Sequence, residues 1–195
     1  GMPIDEPLDD FPAVSLSREF CEAYAHDLGG ELPTEAQWEF AARSRGARER
    51  FVWEGGDFDP GDANVMSLDP RVVKSHRVGN FPKDQSRQGV FDLAGNVREW
   101  CRDVWKPYSQ APARDPLVTS ADSDPDYVIR GGSYDTPTEM ARAAYRSNTA
   151  DVEYRAKNRD SFPDVGFRVV LEVVVAESLN PVPSSEPLTK KDPDE

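Results

Sequence analysis

Cysteine is scarce in this sequence, with Cys21 and Cys101 the only two thiols among 195 residues. Two cysteines are too few for a disulfide framework or for a zinc site built from cysteine alone. Each follows an aromatic residue, Phe20 or Trp100, so we interpret both as buried free thiols. A single disulfide between them is the alternative. The low cysteine content also points to the cytoplasm as the compartment.

Basic residues are fewer than acidic ones, and long apolar runs are absent from the sequence. The chain has 23 Lys and Arg against 36 Asp and Glu, a formal net charge of −13. Such a chain repels the phosphates of nucleic acid, which we exclude as a partner, whereas cations and basic protein surfaces fit its charge. No apolar stretch reaches the roughly 18 residues that a transmembrane helix needs, so we expect no membrane span. His26 and His76 lie apart and form no cluster with the spacing of metal ligands.

Proline and glycine, by contrast, are frequent, with 17 and 13 residues, so the chain must be rich in loops and its helices short. Two helix starts are recognisable. Ser17 is a suitable N-cap for a first helix that runs to about Leu28. Thr34 and Gln37 form a capping box for a second helix that ends near Arg45.

Strand signals are few and short. Residues 71–73 and 127–130 are weak candidates, and residues 165–175, VGFRVVLEVVV, form the strongest one. Two early helices followed by short strands and much coil predict an α+β domain with a small antiparallel sheet. The predicted organisation is a lead-in over residues 1–10, a domain over residues 11–175, and an acidic tail rich in Pro and Ser over residues 176–195.

One short segment, GVFDLAGNVREW at residues 89–100, combines a pair of carboxylates with a tight turn. Asp92 and Glu99 flank the turn, which contains Gly95 and Asn96. A turn of this kind brings backbone carbonyls and carboxylate oxygens together, which is how proteins hold Ca²⁺. The alternative is that the polar side chains only bond the backbone groups of the turn itself. From the spacing alone, that alternative is favoured.

Four motifs occur in order along the chain: LPTEAQWEFAAR, GVFDLAGNVREWCRDVW, VIRGGSYDTP and VGFRVV. Together they resemble the sulfatase-modifying-factor family, whose type member is the formylglycine-generating enzyme. The resemblance covers residues 11–170 and implies a coil-rich, C-type-lectin-like fold with two short helices and small antiparallel sheets. Members of the family usually carry a further segment before the position of Phe11. Either the sheet is trimmed here, or this is the C-terminal part of a longer bacterial protein with other domains.

Several residues of these motifs are best interpreted as structural. Arg130 and Arg168 are expected to fork onto carboxylates or carbonyls, a role that the planar guanidinium performs better than an ammonium group. Trp38, Trp100 and Phe167 are expected to lie in the core, because large aromatics inside helix and strand patterns usually pack.

The resemblance also bears on catalysis. The enzymes of the family use a copper-bound pair of cysteines shortly after the GGS turn, where this chain reads YDTPTEMARAAYRS. Thiolates are the ligands that hold monovalent copper, and Thr136 or Met140 cannot replace a site with two of them. We therefore expect no copper and no formylglycine-generating activity, and we predict that the chain is not an enzyme.

The resemblance strengthens the case for calcium. In the family, the turn that matches DLAGNVRE binds Ca²⁺ through two side chains and two backbone carbonyls. Carried over, these ligands are the side chains of Asp92 and Glu99 and the carbonyls of Gly95 and Val97. We predict one Ca²⁺ at this site. A basic side chain could occupy it in place of the metal, and Arg98 is nearby.

The coil over residues 134–164 is the candidate ligand-binding surface. Tyrosines and small polar residues on loops held by a sheet suit recognition, because they combine contact area with adaptable hydrogen bonds. The alternative is a solvated loop with incidental tyrosines, but several relatives place their pocket on this segment. The predicted contacts to a protein or small-molecule ligand are Tyr134, Asp135, Thr136, Glu139, Tyr145, Asn148, Asp151, Glu153 and Tyr154.

Three functions follow from these observations. The leading hypothesis is a non-catalytic recognition domain, such as the C-terminal sensor of a kinase-linked or protease-linked receptor, or a variable protein diversified by a retroelement. The second is an oxidoreductase fragment similar to the C-terminal domain of non-haem-iron sulfoxide synthases. The iron of those enzymes is held by histidines of another domain, and His26 and His76 cannot form that site. The third is an assembly domain of a secretion-type lipoprotein.

Overall fold

The computed structural model describes residues 10–66, 73–109, 111–150 and 162–172. These residues form two short helices and one four-stranded sheet, joined by long coil. The α+β class predicted from the sequence is therefore confirmed. Most of the predicted lead-in, the predicted tail and the start of the candidate strand at residues 71–73 lie outside the described residues.

Helix α1 (Arg18–Asp27) begins where the sequence predicts. The Ser17 hydroxyl caps it by accepting a hydrogen bond from the Phe20 amide at 3.2 Å. Its buried side is formed by Arg18, Cys21 and Ala25. With ten residues, α1 is the longer of the two α-helices in the described ranges, and neither is long and apolar enough to cross a membrane.

Helix α2 (Glu35–Ala42) begins with the predicted capping box. The Gln37 amide donates to the Thr34 hydroxyl at 3.2 Å, and the Thr34 amide donates to the Gln37 side chain at 2.8 Å. The helix ends three residues before the predicted end at Arg45. Ser44 and Arg45 adopt positive φ angles of 48° and 69°, which no α-helix can continue through.

The sheet has the strand order β3-β2-β1-β4. Its strands are β1 (Arg98–Val104), β2 (Tyr127–Arg130), β3 (Arg146–Asn148) and β4 (Val165–Gly166). Strands β1, β2 and β3 are antiparallel neighbours, as expected, whereas β4 runs parallel to β1. In β1 and β2, Trp100 pairs with Ile129, and Val104 pairs with Tyr127. The two pairs are separated by four residues in β1 but by two residues in β2, so β1 contains a bulge between them.

The predicted long strand at residues 165–175 is wrong in its length. Of the described residues 165–172, only Val165 and Gly166 pair with β1; the chain then leaves the sheet, and Val170 forms an isolated bridge with Glu31. Residues 173–175 of the predicted strand lie outside the described residues. The last residue of β4 is Gly166, which packs closely against the chain at Ala13. A Cβ on Gly166 would lie 2.6 Å from the Ala13 carbonyl oxygen, so a larger residue would not fit there. An apolar run indicates extended backbone but not which neighbour it pairs with, so it predicted one strand where there are two short contacts.

Both faces of the sheet are covered by apolar residues. Successive side chains of a strand point to opposite faces, so Cys101 and Val128 join one core cluster while Trp100 and Ile129 join the other. Cys21 belongs to the second cluster, opposite Cys101. Both cysteines are free and fully buried, so the interpretation as buried thiols is confirmed and the Cys21–Cys101 disulfide is not formed.

Arg130 joins α2 to the sheet. Its guanidinium donates to the Tyr145 carbonyl at 2.6 Å, to the Ala143 carbonyl at 3.0 Å and to the Glu39 carboxylate at 2.6 Å. It also lies 5.0 Å from the ring centroid of Trp38. The Arg130 side chain is fully buried, and the predicted fork onto carbonyls and a carboxylate is confirmed.

Candidate functional site

The turn at residues 92–97 packs against the coil at Asn64. Asp92 and Asn96 have positive φ angles of 57° and 72°, a conformation that Asn and Asp tolerate better than most residues. A Cβ on Gly95 would lie 2.6 Å from the Asn64 carbonyl oxygen, so only glycine allows this approach. The turn is therefore fixed by both its own backbone and its neighbour.

A buried carboxylate that sequence analysis missed, Asp84, also holds this turn. Its oxygens accept hydrogen bonds from the amides of Ala94 and Gly95, both at 2.9 Å. Burial, with a smaller contribution from the Asp92 charge, raises the pKa of Asp84 to about 7, although the amide hydrogen bonds lower it. Asp84 is thus a buried acid that titrates near neutral pH.

The two predicted metal-binding carboxylates have different surroundings. The Glu99 carboxylate accepts a hydrogen bond from Trp38 Nε1 at 2.7 Å and is gripped on both oxygens by the Arg168 guanidinium. Asp92 Oδ2 accepts from the Gly79 amide at 2.8 Å. Asp92 Oδ1 is buried and has no hydrogen-bond partner among the described residues.

The surroundings of Asp92 favour a bound cation, whereas those of Glu99 favour it less. A buried carboxylate oxygen without a partner suits a positive charge, and Asp92 Oδ1 is such an atom. Glu99 is already neutralised by Arg168, so Ca²⁺ would have to share or displace that guanidinium. Within the described residues, no three His, Cys, Asp or Glu side chains converge on one point, so backbone carbonyls such as those predicted at Gly95 and Val97 would also be needed. The calcium site stays a prediction.

Arg98, the residue expected to compete for that site, lies elsewhere. Its guanidinium grips the Asp164 carboxylate through two hydrogen bonds of 2.9 and 2.7 Å, and both side chains are buried. The Ser133 hydroxyl donates to the same carboxylate at 2.6 Å. This cluster ties β1 to the start and the end of the predicted binding coil.

The predicted binding coil presents some of its candidate residues and buries others. Asp135 and Glu139 are exposed, and Tyr134 and Tyr145 are half-buried. Thr136 and Asn148 are buried, and their side chains bond the amides of Ser133 and Ala150. The remaining candidates, Asp151, Glu153 and Tyr154, lie outside the described residues. The assignment of this coil to ligand binding therefore stays a prediction, with Thr136 and Asn148 engaged in local turns.

A cleft of about 550 Å³ opens beside this coil. We name it the 58–81 cleft. It is lined by Phe58, Pro60, Gly61, Ala63, Asn64, Val65, Met66, His76, Phe81 and Thr138. The Met66 amide donates to the Thr136 carbonyl at 2.9 Å and thereby fastens the wall of the cleft to the coil. Apart from His76, which was noted as an isolated histidine, sequence analysis did not single out the residues that line this cleft.

The Asn96 side chain holds the floor of the 58–81 cleft. Its Oδ1 accepts from the His76 amide at 2.9 Å and from the Asn64 side chain at 3.2 Å, and its Nδ2 donates to the His76 carbonyl at 3.1 Å. The His76 ring meets the Phe81 ring edge-on at 5.5 Å. Burial lowers the pKa of His76, and the Lys74 charge lowers it further, so both favour the neutral form of the ring.

Comparison with known proteins supplies the evolutionary context. The chain is 35% identical over 179 residues to the formylglycine-generating enzyme of Streptomyces coelicolor, and the match covers 80% of this chain and 51% of that protein. It is 32% identical to the serine/threonine-protein kinase pkn1 of Chlamydia pneumoniae, covering 69% and 21%. It is 32% identical to the hercynine oxygenase of Mycobacterium tuberculosis, covering 73% and 34%. The chain thus spans about half or less of each of these relatives.

These relatives overturn the prediction that the chain is not an enzyme. Formylglycine-generating enzyme and hercynine oxygenase are named as enzymes. The inference failed because a missing pair of thiolates concerns copper chemistry alone. One scaffold can support several reactions, so the loss of one ligand set does not exclude the others.

The fold and the family are both shown by comparison. The structure superposes on that of PvdO from Pseudomonas aeruginosa with a TM-score of 0.67 and 27% identity, over 87% of this chain and 65% of that one. This similarity confirms the fold expected from the four motifs. The FGE-sulfatase family, described as the sulfatase-modifying factor enzyme 1-like domain, matches residues 3–173. The chain therefore belongs to the FGE-sulfatase family.

Proposed function

We propose that this chain is a ligand-recognition domain of its family and that the ligand, a protein segment or a small molecule, occupies the 58–81 cleft beside the coil after β2. The observation that carries the proposal is the construction of this cleft: mixed apolar and polar walls on a floor held by buried hydrogen bonds. Enzymes and receptors both bind ligands, so the proposed ligand binding is compatible with a catalytic and with a non-catalytic role for this chain.

The walls of the cleft offer both contact area and specificity. Met66 is 46% exposed, and Phe58 and Phe81 are half-buried, so apolar surface is available to a ligand. The neutral His76 ring and the Thr138 hydroxyl supply hydrogen-bonding groups at the same cavity. Its volume of about 550 Å³ lies within the usual range for small-ligand pockets, roughly 300–1,000 Å³.

The coil contributes to the same region through Thr138, which lines the cleft. Asp135 and Glu139 lie on either side of Thr138 in the sequence and are exposed, and we propose that they meet the polar part of a bound ligand. This arrangement supports the predicted role of the coil as an edge of the binding surface. Rigid support below and exposed loops above are the usual organisation of recognition sites.

The two histidines of the chain allow a direct test of binding in the cleft. With ¹⁵N-labelled histidine rings, a library of small aromatic and amide fragments is screened by NMR. Fragments that occupy the cleft are expected to shift the His76 ring and to leave His26 on α1 unchanged. Met66→Ala is expected to weaken these fragments by about fivefold, since truncation removes about 1 kcal/mol of apolar contact.

Val78→Ala is the matched control, because Val78 is 59% exposed and does not line the cleft. It is expected to leave fragment affinities unchanged. The proposal is wrong if no fragment shifts the His76 ring. It is also wrong if Met66→Ala leaves every affinity at the wild-type value.

We also propose that one Ca²⁺ binds at the turn through Asp92 and Glu99, with the carbonyls of Gly95 and Val97. The support is the buried Asp92 Oδ1 atom without a partner and the resemblance of the turn to the family's calcium turn. A bound metal would neutralise this oxygen and brace the turn from which Asn96 holds the 58–81 cleft.

Added Ca²⁺ is expected to raise the melting temperature of the chelator-treated protein by about 5–10 °C at a hundredfold excess over Kd, since binding to the folded state alone adds about 2.7 kcal/mol. Asp92→Asn should abolish the rise. Asp62→Asn, which alters a carboxylate paired with Lys83, should preserve it. Arg168→Gln should enlarge it by freeing Glu99. An unchanged melting temperature in the wild type would refute the site.

A further inference from the structure

A second cavity, of about 670 Å³, lies between α2 and the chain segment that follows β1. We name it the α2 groove. Its apolar walls include Ala36, Phe40, Pro107, Tyr108, Pro116 and Val118. It shares no lining residue with the 58–81 cleft in the described part of the chain. Its size is that of a pocket for a small organic molecule.

Two aromatic rings dominate the opening of the α2 groove. Phe40 is 56% exposed and Tyr108 is 61% exposed, which is a large apolar area for a surface to leave uncovered. Tyr108 is nevertheless held in place. Its hydroxyl donates to the Glu35 carboxylate at 3.1 Å, and its ring lies 3.9 Å from the Arg146 guanidinium. These two contacts restrain the Tyr108 side chain before any ligand arrives, which lowers the entropy cost of binding.

The acidic side chains of the groove are already engaged. Glu35 forms a two-point ion pair with Arg146. Glu39 accepts hydrogen bonds from Arg43 and from the buried Arg130, both at 2.6 Å. These carboxylates are saturated by guanidinium groups and offer little attraction to a further cation.

The third carboxylate, Asp103, is occupied by the backbone. Its oxygens accept from the amides of Glu35 at 2.7 Å and Val118 at 3.0 Å. The lysine of the groove, Lys106, is different. Its side chain is 51% exposed, and among the described residues its only anionic neighbour is Asp122, at 4.0 Å. Lys106 is thus the cation of the groove with the weakest pairing, a single 4.0 Å contact to an exposed carboxylate, and it is the charged group most available to a ligand.

We propose that the α2 groove binds an apolar carboxylate, whose hydrocarbon body lies between Phe40 and Tyr108 and whose carboxylate pairs with the Lys106 ammonium. The aromatic walls select a flat or branched apolar body. Because the carboxylates of the groove are already hydrogen-bonded, the Lys106 ammonium determines the charge of the ligand, and it favours an anion. Nothing in this assignment depends on the 58–81 cleft.

A pair of nearly isosteric probes tests the proposal: 2-naphthoate, an apolar carboxylate, and 2-naphthamide, its neutral counterpart. Their affinities are measured by isothermal titration at low and high salt. The naphthoate is expected to bind about fivefold more tightly, the size expected for one exposed ion pair, and the difference should shrink as salt screens the charges.

Three variants locate the binding. Lys106→Gln is expected to make the two affinities equal, whereas Lys74→Gln, which removes an exposed lysine outside the groove, leaves the preference intact. Phe40→Ala is expected to weaken both probes by about fivefold or more through lost apolar contact. Phe40 is exposed, so this variant should keep the wild-type melting temperature.

Equal binding of the two probes to the wild type would overturn the choice of a carboxylate. A naphthoate preference that survives in Lys106→Gln would overturn the role of that ammonium. Absence of binding by either probe up to its solubility limit, or affinities unaffected by Phe40→Ala, would overturn the site itself. The histidine-ring measurements at the 58–81 cleft report on a different cavity, so failure of one proposal is distinguishable from failure of the other.

Discussion

Replacement of Arg130 by methionine is expected to lower the free energy of unfolding by about 3–5 kcal/mol, a large part of the roughly 5–15 kcal/mol that holds a domain together. The guanidinium is fully buried and bonds two carbonyls and the Glu39 carboxylate. Methionine fills similar space but removes the guanidinium from both carbonyls and leaves Glu39 with Arg43 as its remaining arginine partner. Losing one partner of a buried network costs more than the intact network contributes.

Urea unfolding followed by tryptophan fluorescence measures this loss. Arg43→Met is the matched control, because Arg43 pairs with the same Glu39 one turn along α2, at a site where both side chains are about one-quarter exposed. Its expected cost is about 0.5 kcal/mol. The Arg130→Met, Glu39→Met double variant should recover part of the loss. A loss below about 1 kcal/mol in Arg130→Met would contradict the buried network.

Between pH 5 and pH 8 the protein is expected to lose about 2–3 kcal/mol of stability through Asp84 alone. The pKa of this carboxyl is raised from 3.8 to about 7, chiefly by burial. The folded state therefore binds a proton that the unfolded state has released throughout the window from about pH 4 to pH 7. Stability from this group falls as pH rises through that window, and below about pH 4 the penalty is absent.

Asp84→Asn isolates the effect, because the amide does not titrate. The free energy of unfolding of this variant should change less between pH 5 and pH 8 than that of the wild type. Asp62→Asn serves as the control and should keep the wild-type pH dependence. The ¹³C shift of the Asp84 carboxyl gives a second measurement on the intact protein. A midpoint below 3.8, the ordinary value of the carboxyl, would show that the amides of Ala94 and Gly95 outweigh burial.

Features encoded within a few residues were predicted well. The capping box of α2 needs only Thr34 and Gln37, three positions apart, and it formed as expected. The strand at Tyr127–Arg130 was also found. By contrast, β3 (Arg146–Asn148) was missed, because its short polar sequence RSN becomes a strand only through pairing with β2.

Long-range pairs were less accessible to prediction. Arg98 was considered as a basic side chain that could occupy the calcium site, but adjacent residues of a strand point to opposite faces, so Arg98 meets Asp164 instead. Arg168 occupies the place beside Glu99 from 69 residues away. Asp84 and the two cavities were missed for the same reason, since their residues converge only through the coil. No periodic pattern specifies the path of that coil.

The attachment of the 58–81 cleft has a consequence for protein engineering. Asn96 holds this region mainly through main-chain atoms, the amide and carbonyl of His76 and the carbonyl of Asn64. Such atoms are present whatever side chain a position carries, proline aside. Randomising the cleft wall at the exposed Pro60 and Met66 and the half-buried Thr138 should therefore yield libraries of new binders that retain the parent scaffold.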